Sequence, residues 1–79
     1  MMMTTEEILT DVFRMVFDEP SIELRPGMTA NDVEGWDSLS HVNLILAIEL
    51  RFDIHFSQKE LLAFKTVGDL INSINRKLA

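Results

Sequence analysis

Asp37, Ser38 and His41 put a carboxylate, a hydroxyl and an imidazole within about one helical turn, in the run Gly35-Trp36-Asp37-Ser38-Leu39-Ser40-His41. A hydroxyl so placed could act as a nucleophile if a histidine took its proton and a third group oriented that histidine. The surrounding pattern argues against this. Ser38 lacks the Gly-x-Ser-x-Gly elbow between a strand and a helix, and no oxyanion hole is in sight. Asp32, Glu34 and Asp37 form a second acidic cluster, but the alternating acids, central glycine and distal glutamate of a calcium loop are missing. With no cysteine, there is neither a thiolate metal cluster nor a disulfide, and no metal is expected. On residue types alone, a serine after an aspartate at a helix start reads as part of the cap.

The elements that position these residues are four helical stretches. Thr4 and Glu7 have capping-box spacing, and Ile8, Val12, Met15 and Val16 then recur at helical intervals beside Leu9 and Phe13. Asp18-Glu19-Pro20 should end this helix, because the residue before a proline is pushed out of helical geometry. Asp18 to Asp37 shows no sustained period and reads as a long loop, with Ile22, Leu24, Met28 and Val33 spaced to pin it to the bundle. The second helix is predicted from about Ser38 to Phe52, capped by Asp37. A short third follows the box Ser57-Gln58-Lys59-Glu60. The fourth starts near Thr66, with Asp69 in the place of the usual glutamate, and its stripe is Val67, Leu70, Ile71, Ile74 and Leu78.

The second helix has two apolar faces. Steps of about 100° per residue set Leu44, Ile45, Ile48 and Phe52 on one side, and Leu39, Val42, Leu46 and Leu50 on roughly the other, with Asn43 among them. One stripe is what a core-facing helix requires. The second implies either a helix buried all round or a surface that docks on other proteins. Because Ser40, Asn43 and Arg51 interrupt the ring without forming one clean solvated face, docking is the expectation.

Size and charge narrow the function further. A 79-residue chain forms one small domain with a thin core, and its 47% apolar residues must supply the stability without staples. Net charge is −6, with nine acids and two bases in residues 1–37 against four and five in residues 38–79. Such a surface repels phosphate backbones and anionic lipid headgroups, so nucleic acid and membranes are poor partners and basic proteins better ones. No apolar run approaches the roughly 20 residues that span a bilayer. Met1-Met2-Met3-Thr4-Thr5 lacks the pattern of a secretory signal, so a cytoplasmic location and a monomer are the default expectations.

Asp37-Ser38-Leu39 at the opening of the second helix resembles the signature of the acyl carrier protein family. Val42, Leu44, Ile45, Ala47, Ile48, Glu49 and the closing Phe52-Asp53 also fall where that family has its amphipathic second helix. The long first loop, short third helix and Thr66-Val67 opening of the fourth extend the likeness over essentially the whole chain. The resemblance implies an all-α four-helix bundle and a single free-standing carrier domain over residues 1–79, not an enzyme. It implies that Ser38 receives 4′-phosphopantetheine from coenzyme A through a separate phosphopantetheinyl transferase. Acyl groups would then travel as thioesters among acyl-loading and acyl-processing enzymes of fatty-acid, polyketide or related acyl metabolism.

In that family Asp37 would orient the serine as well as cap the helix, and Leu39 would contact partners instead of joining the core. Trp36 would either shield the arm or cover the loop. Leu44, Ile45, Ile48, Phe52, Ile54, Leu62 and Ile71 would line either a cavity for the acyl chain or an ordinary core. The chain departs from the family's housekeeping members at Ser40, Asn43, Leu50 and Arg51, where those have acids; only Glu49 remains. A specialised carrier follows, docking by apolar contact through Leu39, Val42, Asn43, Leu46 and Leu50. Peptidyl or D-alanyl carriers are the near alternative, and a helical interaction module without a prosthetic group is the alternative from another class.

Overall fold

A computed structural model describes residues 4–79, so Met1, Met2 and Met3 of the opening run lie outside the described residues. Four α-helices follow in order: α1 Thr5–Val16, α2 Ser38–Phe52, α3 Gln58–Ala63 and α4 Val67–Leu78, with no strand among the described residues. Each helix opens on a reciprocal capping box, from Thr4/Glu7, Asp37/Ser40, Ser57/Glu60 and Thr66/Asp69 respectively. Each box satisfies donors that the first helical turn leaves unpaired. At α4 the carboxylate of Asp69 accepts the Thr66 N–H at 3.1 Å and the Lys65 N–H at 3.0 Å, so the shorter side chain serves as well as glutamate.

α1 packs against both α2 and α4. The core joins Leu9, Val12 and Phe13 of α1 to Leu44, Ile45 and Ile48 of α2 and to Val67, Leu70, Ile71 and Ile74 of α4. Two residues assigned to apolar stripes turn outward. Met15 is exposed, because the buried arc of α1 centres on Leu9, Val12 and Phe13 and places Met15 beyond its edge. Leu78 is exposed at the last turn of α4, past the reach of the other helices.

Pro20 does not end α1. Asp18 adopts the left-handed conformation (φ 50°), while the Glu19 N–H donates to the Arg14 carbonyl at 3.1 Å and the Asp18 N–H to that of Met15 at 3.4 Å. This is a Schellman closure, with aspartate in the place usually taken by glycine. α2 closes in a related way at Asp53 (φ 55°), where the Ile54 N–H reaches back to the Glu49 carbonyl at 3.1 Å.

The long loop is not structureless. A 3-10 turn over Ala30–Asp32, capped by Thr29 and Asp32, interrupts it. Met28 and Val33 are buried, and Ile22 and Leu24 pack half-buried against the core, as their spacing predicts. Arg14 Nε donates to the Ile22 carbonyl at 2.9 Å. The loop also serves α4: the Val67 N–H donates to the Met28 carbonyl and the Gly68 N–H to the Pro26 carbonyl, both at 2.8 Å. Two orphan donors of α4 are thereby paired with loop carbonyls. The approach is close enough that a Cβ on Gly68 would lie 3.0 Å from the Pro26 carbonyl oxygen.

α3 buries none of its residues fully and is held by polar contacts. Ser73 is buried on α4 and donates to Glu60 at 3.0 Å, while Lys77 Nζ reaches the same carboxylate at 2.9 Å and lies 5.6 Å from the ring centre of Phe56. The Ser57 N–H and Lys77 are the main causes that pull the Glu60 carboxyl down to about 2. Leu61 and Phe64 turn inward, and Phe64 meets Phe56 edge-on at 5.2 Å. Leu62, next to Leu61 on so short a helix, is rotated into solvent and leaves the set of residues that could line an interior cavity.

The two faces of α2 separate cleanly, with Leu44, Ile45 and Ile48 buried and Leu39, Val42, Leu46 and Leu50 exposed by 76, 56, 53 and 84%. Phe13→Ala should therefore cost about 3–5 kcal/mol in urea unfolding. Leu50→Ala should stay within about 0.5 kcal/mol of the parent. A comparable loss for Leu50→Ala would contradict the assignment of its face to the surface.

Candidate functional site

Ser38 is the first residue of α2, and its position is set by the cap around it. Asp37 is in extended backbone geometry, and its Oδ1 accepts the Leu39 N–H at 3.1 Å and the Ser40 N–H at 2.9 Å. Hydrogen bonds from the Ser40 backbone and side chain, followed by Leu39, hold the Asp37 carboxyl below the usual carboxylate range. The box closes from the other side, where the Asp37 N–H donates to Ser40 Oγ at 2.8 Å. Asp37 and Ser40 thus complete the cap between them. Ser38 stands outside this network with its side chain exposed.

The loop that delivers Ser38 is anchored by aromatic packing. Trp36 meets Phe13 edge-on at 5.2 Å and Phe17 at 6.1 Å. Its indole N–H donates to His41 Nδ1 at 3.0 Å, and the two rings lie stacked 17° from parallel with centroids 6.0 Å apart. Trp36 therefore covers the loop and also braces His41. Because Nδ1 accepts this bond, the neutral imidazole carries its proton on Nε2. Burial pushes the His41 pKa down from its ordinary value. The histidine is engaged with Trp36, which removes the remaining basis for a Ser38–His41 nucleophile pair.

An open groove of about 490 Å³ begins at Ser38, lined by Trp36, Asp37, His41, Phe64 and Lys65 among others. Phe64 and Lys65 come from the connection between α3 and α4, and nothing in their local sequence links them to Ser38. A second groove of about 430 Å³ separates α2 from α3 and is lined by Val42, Ile45, Leu46, Leu61 and Leu62. It runs into the exposed stripe of Leu39, Val42, Leu46 and Leu50, with Asn43 also exposed on that side.

The acid retained on α2, Glu49, lines this second groove but is half-buried and already engaged. Glu49 Oε2 accepts the Phe56 N–H at 2.9 Å and lies 3.8 Å from His55 Nδ1, so it braces the connection to α3. The outward face of α2 is accordingly as apolar as the sequence indicates. Among the described residues, no group of histidine and acidic side chains could hold a metal ion, and no helix is long and apolar enough to cross a membrane.

The sequence reading missed the role of Ser40 and the Trp36–His41 bond. Ser40 has the capping-box offset from Asp37, but that pattern is recognised by glutamate or glutamine at this place. The Trp36–His41 bond depends on how the loop turns into α2, which spacing does not encode.

Since the fold holds the neutral form of His41, that contribution is complete above 6.5 and lost as pH falls through the lowered folded-state value. In an NMR titration His41 should show the Nε2–H tautomer above 6.5, and its midpoint and the shift of the Trp36 indole N–H should coincide below 6.5. A midpoint at or above 6.5, or an indole resonance that ignores it, would contradict the bond.

Residues 7–74 match the family described as the phosphopantetheine attachment site. The acyl carrier protein of Thermosynechococcus vestitus is 35% identical over 81 residues, covering 98% of this chain and 99% of that protein. That of Acidothermus cellulolyticus is 32% identical over 77 residues, covering 94% and 92%. The solution structure of the holo acyl carrier protein from Geobacter metallireducens superposes with a TM-score of 0.90 at 47% identity, over 96% of this chain and 87% of that one. The chain belongs to the acyl carrier protein family, a family of carriers, not enzymes, with 4′-phosphopantetheine as prosthetic group.

Proposed function

We propose that Ser38 is the attachment point of the 4′-phosphopantetheine arm and that the chain presents acyl thioesters to enzymes of fatty-acid, polyketide or related acyl metabolism. The observation that carries this reading is the exposed Ser38 hydroxyl at the N-terminus of α2, left outside the cap that Asp37 and Ser40 close. The residues fit the group. The positive end of the helix dipole favours a phosphodiester at this position, and Lys65 is a cation in the adjoining groove. The arm, when bound, supplies the thiol that this cysteine-free chain lacks.

On this reading the Ser38 hydroxyl accepts the phosphopantetheinyl group from coenzyme A on a separate transferase, and Asp37 keeps the helix start fixed while it does so. Leu39, Val42, Asn43, Leu46 and Leu50 form the face that meets the transferase and the acyl-handling enzymes. Their contact is chiefly apolar, since Glu49 faces the α2–α3 connection. Exposed apolar surface of this kind marks interaction sites in soluble proteins.

Incubation with coenzyme A and a broad-specificity phosphopantetheinyl transferase should add one phosphopantetheine to the intact mass of the parent and none to Ser38→Ala. An unmodified parent, in a reaction that converts a known carrier, would remove the carrier reading and leave the apolar face of α2 as an interaction surface in its own right.

A further inference from the structure

Acids and bases beyond Ser38 are disposed in opposite ways. Glu49 accepts the Phe56 N–H at 2.9 Å, and Glu60 accepts the Ser57 N–H and Lys77 Nζ, both at 2.9 Å. Asp69 accepts the N–H groups of Lys65 and Thr66. Asp53, the remaining acid of residues 38–79, is the C-cap that closes α2. By contrast, Arg51 of α2 and Lys59 of α3 are exposed, and among the described residues neither has a carboxylate within 4 Å.

Both cations border the apolar face. Arg51 directly follows Leu50 in the last turn of α2. Lys59 precedes Leu62 by three residues on α3, so the two side chains are neighbours on the helix surface. Leu62 in turn lines the groove between α2 and α3 together with Val42 and Leu46. The stripe is thus framed by positive charge at the end of α2 and across the groove, on a chain whose net charge is −6. Free acids gather instead in residues 18–37, ahead of Ser38.

We propose that the protein partner of this face presents an apolar patch rimmed by carboxylates, the reverse of the basic complement that the chain's net charge invites. The proposal rests on the reading of this face as the carrier's docking surface, and it names the chemistry of what docks there. Charges more than a Debye length apart, about 8 Å at physiological ionic strength, are largely screened. At contact, Arg51 and Lys59 therefore count for more than the distant acids of the first loop. A basic rim would meet these two cations with Glu49 and Glu60 already engaged, and like charges brought together exclude a partner as effectively as opposite charges select one.

Two synthetic helical peptides test this, each with one leucine face, flanked by glutamates in the first and by lysines in the second. Each is titrated into the isotope-labelled chain, and amide shifts locate the site while their concentration dependence gives Kd. The glutamate-flanked peptide should shift Leu46, Leu50 and Leu62 with a Kd about fivefold or more below that of its lysine counterpart at the same residues. Added salt should narrow the gap. The double variant Arg51→Glu, Lys59→Glu alters only exposed side chains and should reverse the order. Lysine-flanked peptide bound at these leucines as tightly as the other, an order unchanged in the double variant, or shifts confined to residues 18–37 would overturn the proposal. So would binding of neither peptide, or sedimentation with phosphatidylglycerol vesicles in preference to both, which would assign the face to a lipid surface. Loading by the transferase is scored separately by intact mass. A chain that keeps the predicted order without loading has lost the carrier reading and kept this surface; one that loads but shows no order has lost only the polarity proposed here.

Discussion

The reciprocal cap between Asp37 and Ser40 is the interaction on which the candidate site depends. It ends a long irregular segment and begins α2 at a defined residue, so the orientation of every side chain on that helix follows from it. It also satisfies the helix terminus with its own flanking groups. The hydroxyl between them is left free because the donors that might have engaged it are already paired. A serine that helped to cap the helix would be a poor acceptor for a transferred group. Here the capping is done by its neighbours.

A second constraint is the size of the chain. Three helices and an organised loop share a thin core, and the fold extends it by making the loop structural. Met28 and Val33 fill the interior, while the Pro26 and Met28 carbonyls take the first donors of α4. This allows α2 to commit only one of its apolar faces to the core. Its other face stays exposed, and α3 extends that surface through Leu62. Retention of Glu49 as a brace for the α2–α3 connection keeps the exposed face nearly uncharged, in contrast to the strongly acidic first half of the sequence. Association with partners in the proposed function is then governed chiefly by shape and apolar burial, with long-range attraction left to the rest of the surface.

Much of this was legible in the sequence because it rests on local rules. Capping boxes at Thr4, Ser57 and Thr66 set helix starts through contacts three residues apart, and the double periodicity of α2 divides its core from its surface. What was not legible depends on contacts between distant segments or on unusual residues in a familiar role. Pro20 offered a plausible stop for α1, yet the chain stopped earlier by placing Asp18 in a left-handed conformation, which aspartate tolerates better than most residues. Leu62 and Leu78 fit apolar patterns but lie where no neighbouring helix covers them. Phe64 and Lys65 reach the groove at Ser38 only through the path of the α3–α4 connection. At the site itself, Ser40 escaped notice because a serine at that offset is not the residue by which a capping box is recognised.

The most direct test of the account is to load the chain, fragment it and determine which residue bears the phosphodiester. Five serines are available, Ser21, Ser38, Ser40, Ser57 and Ser73, and two of them lie in the first turn of α2. The account predicts modification at Ser38 alone, since Ser40 is engaged with Gly35 and Asp37. Modification at Ser40, or spread over both residues, would contradict the claim that the cap withdraws one hydroxyl and frees the other.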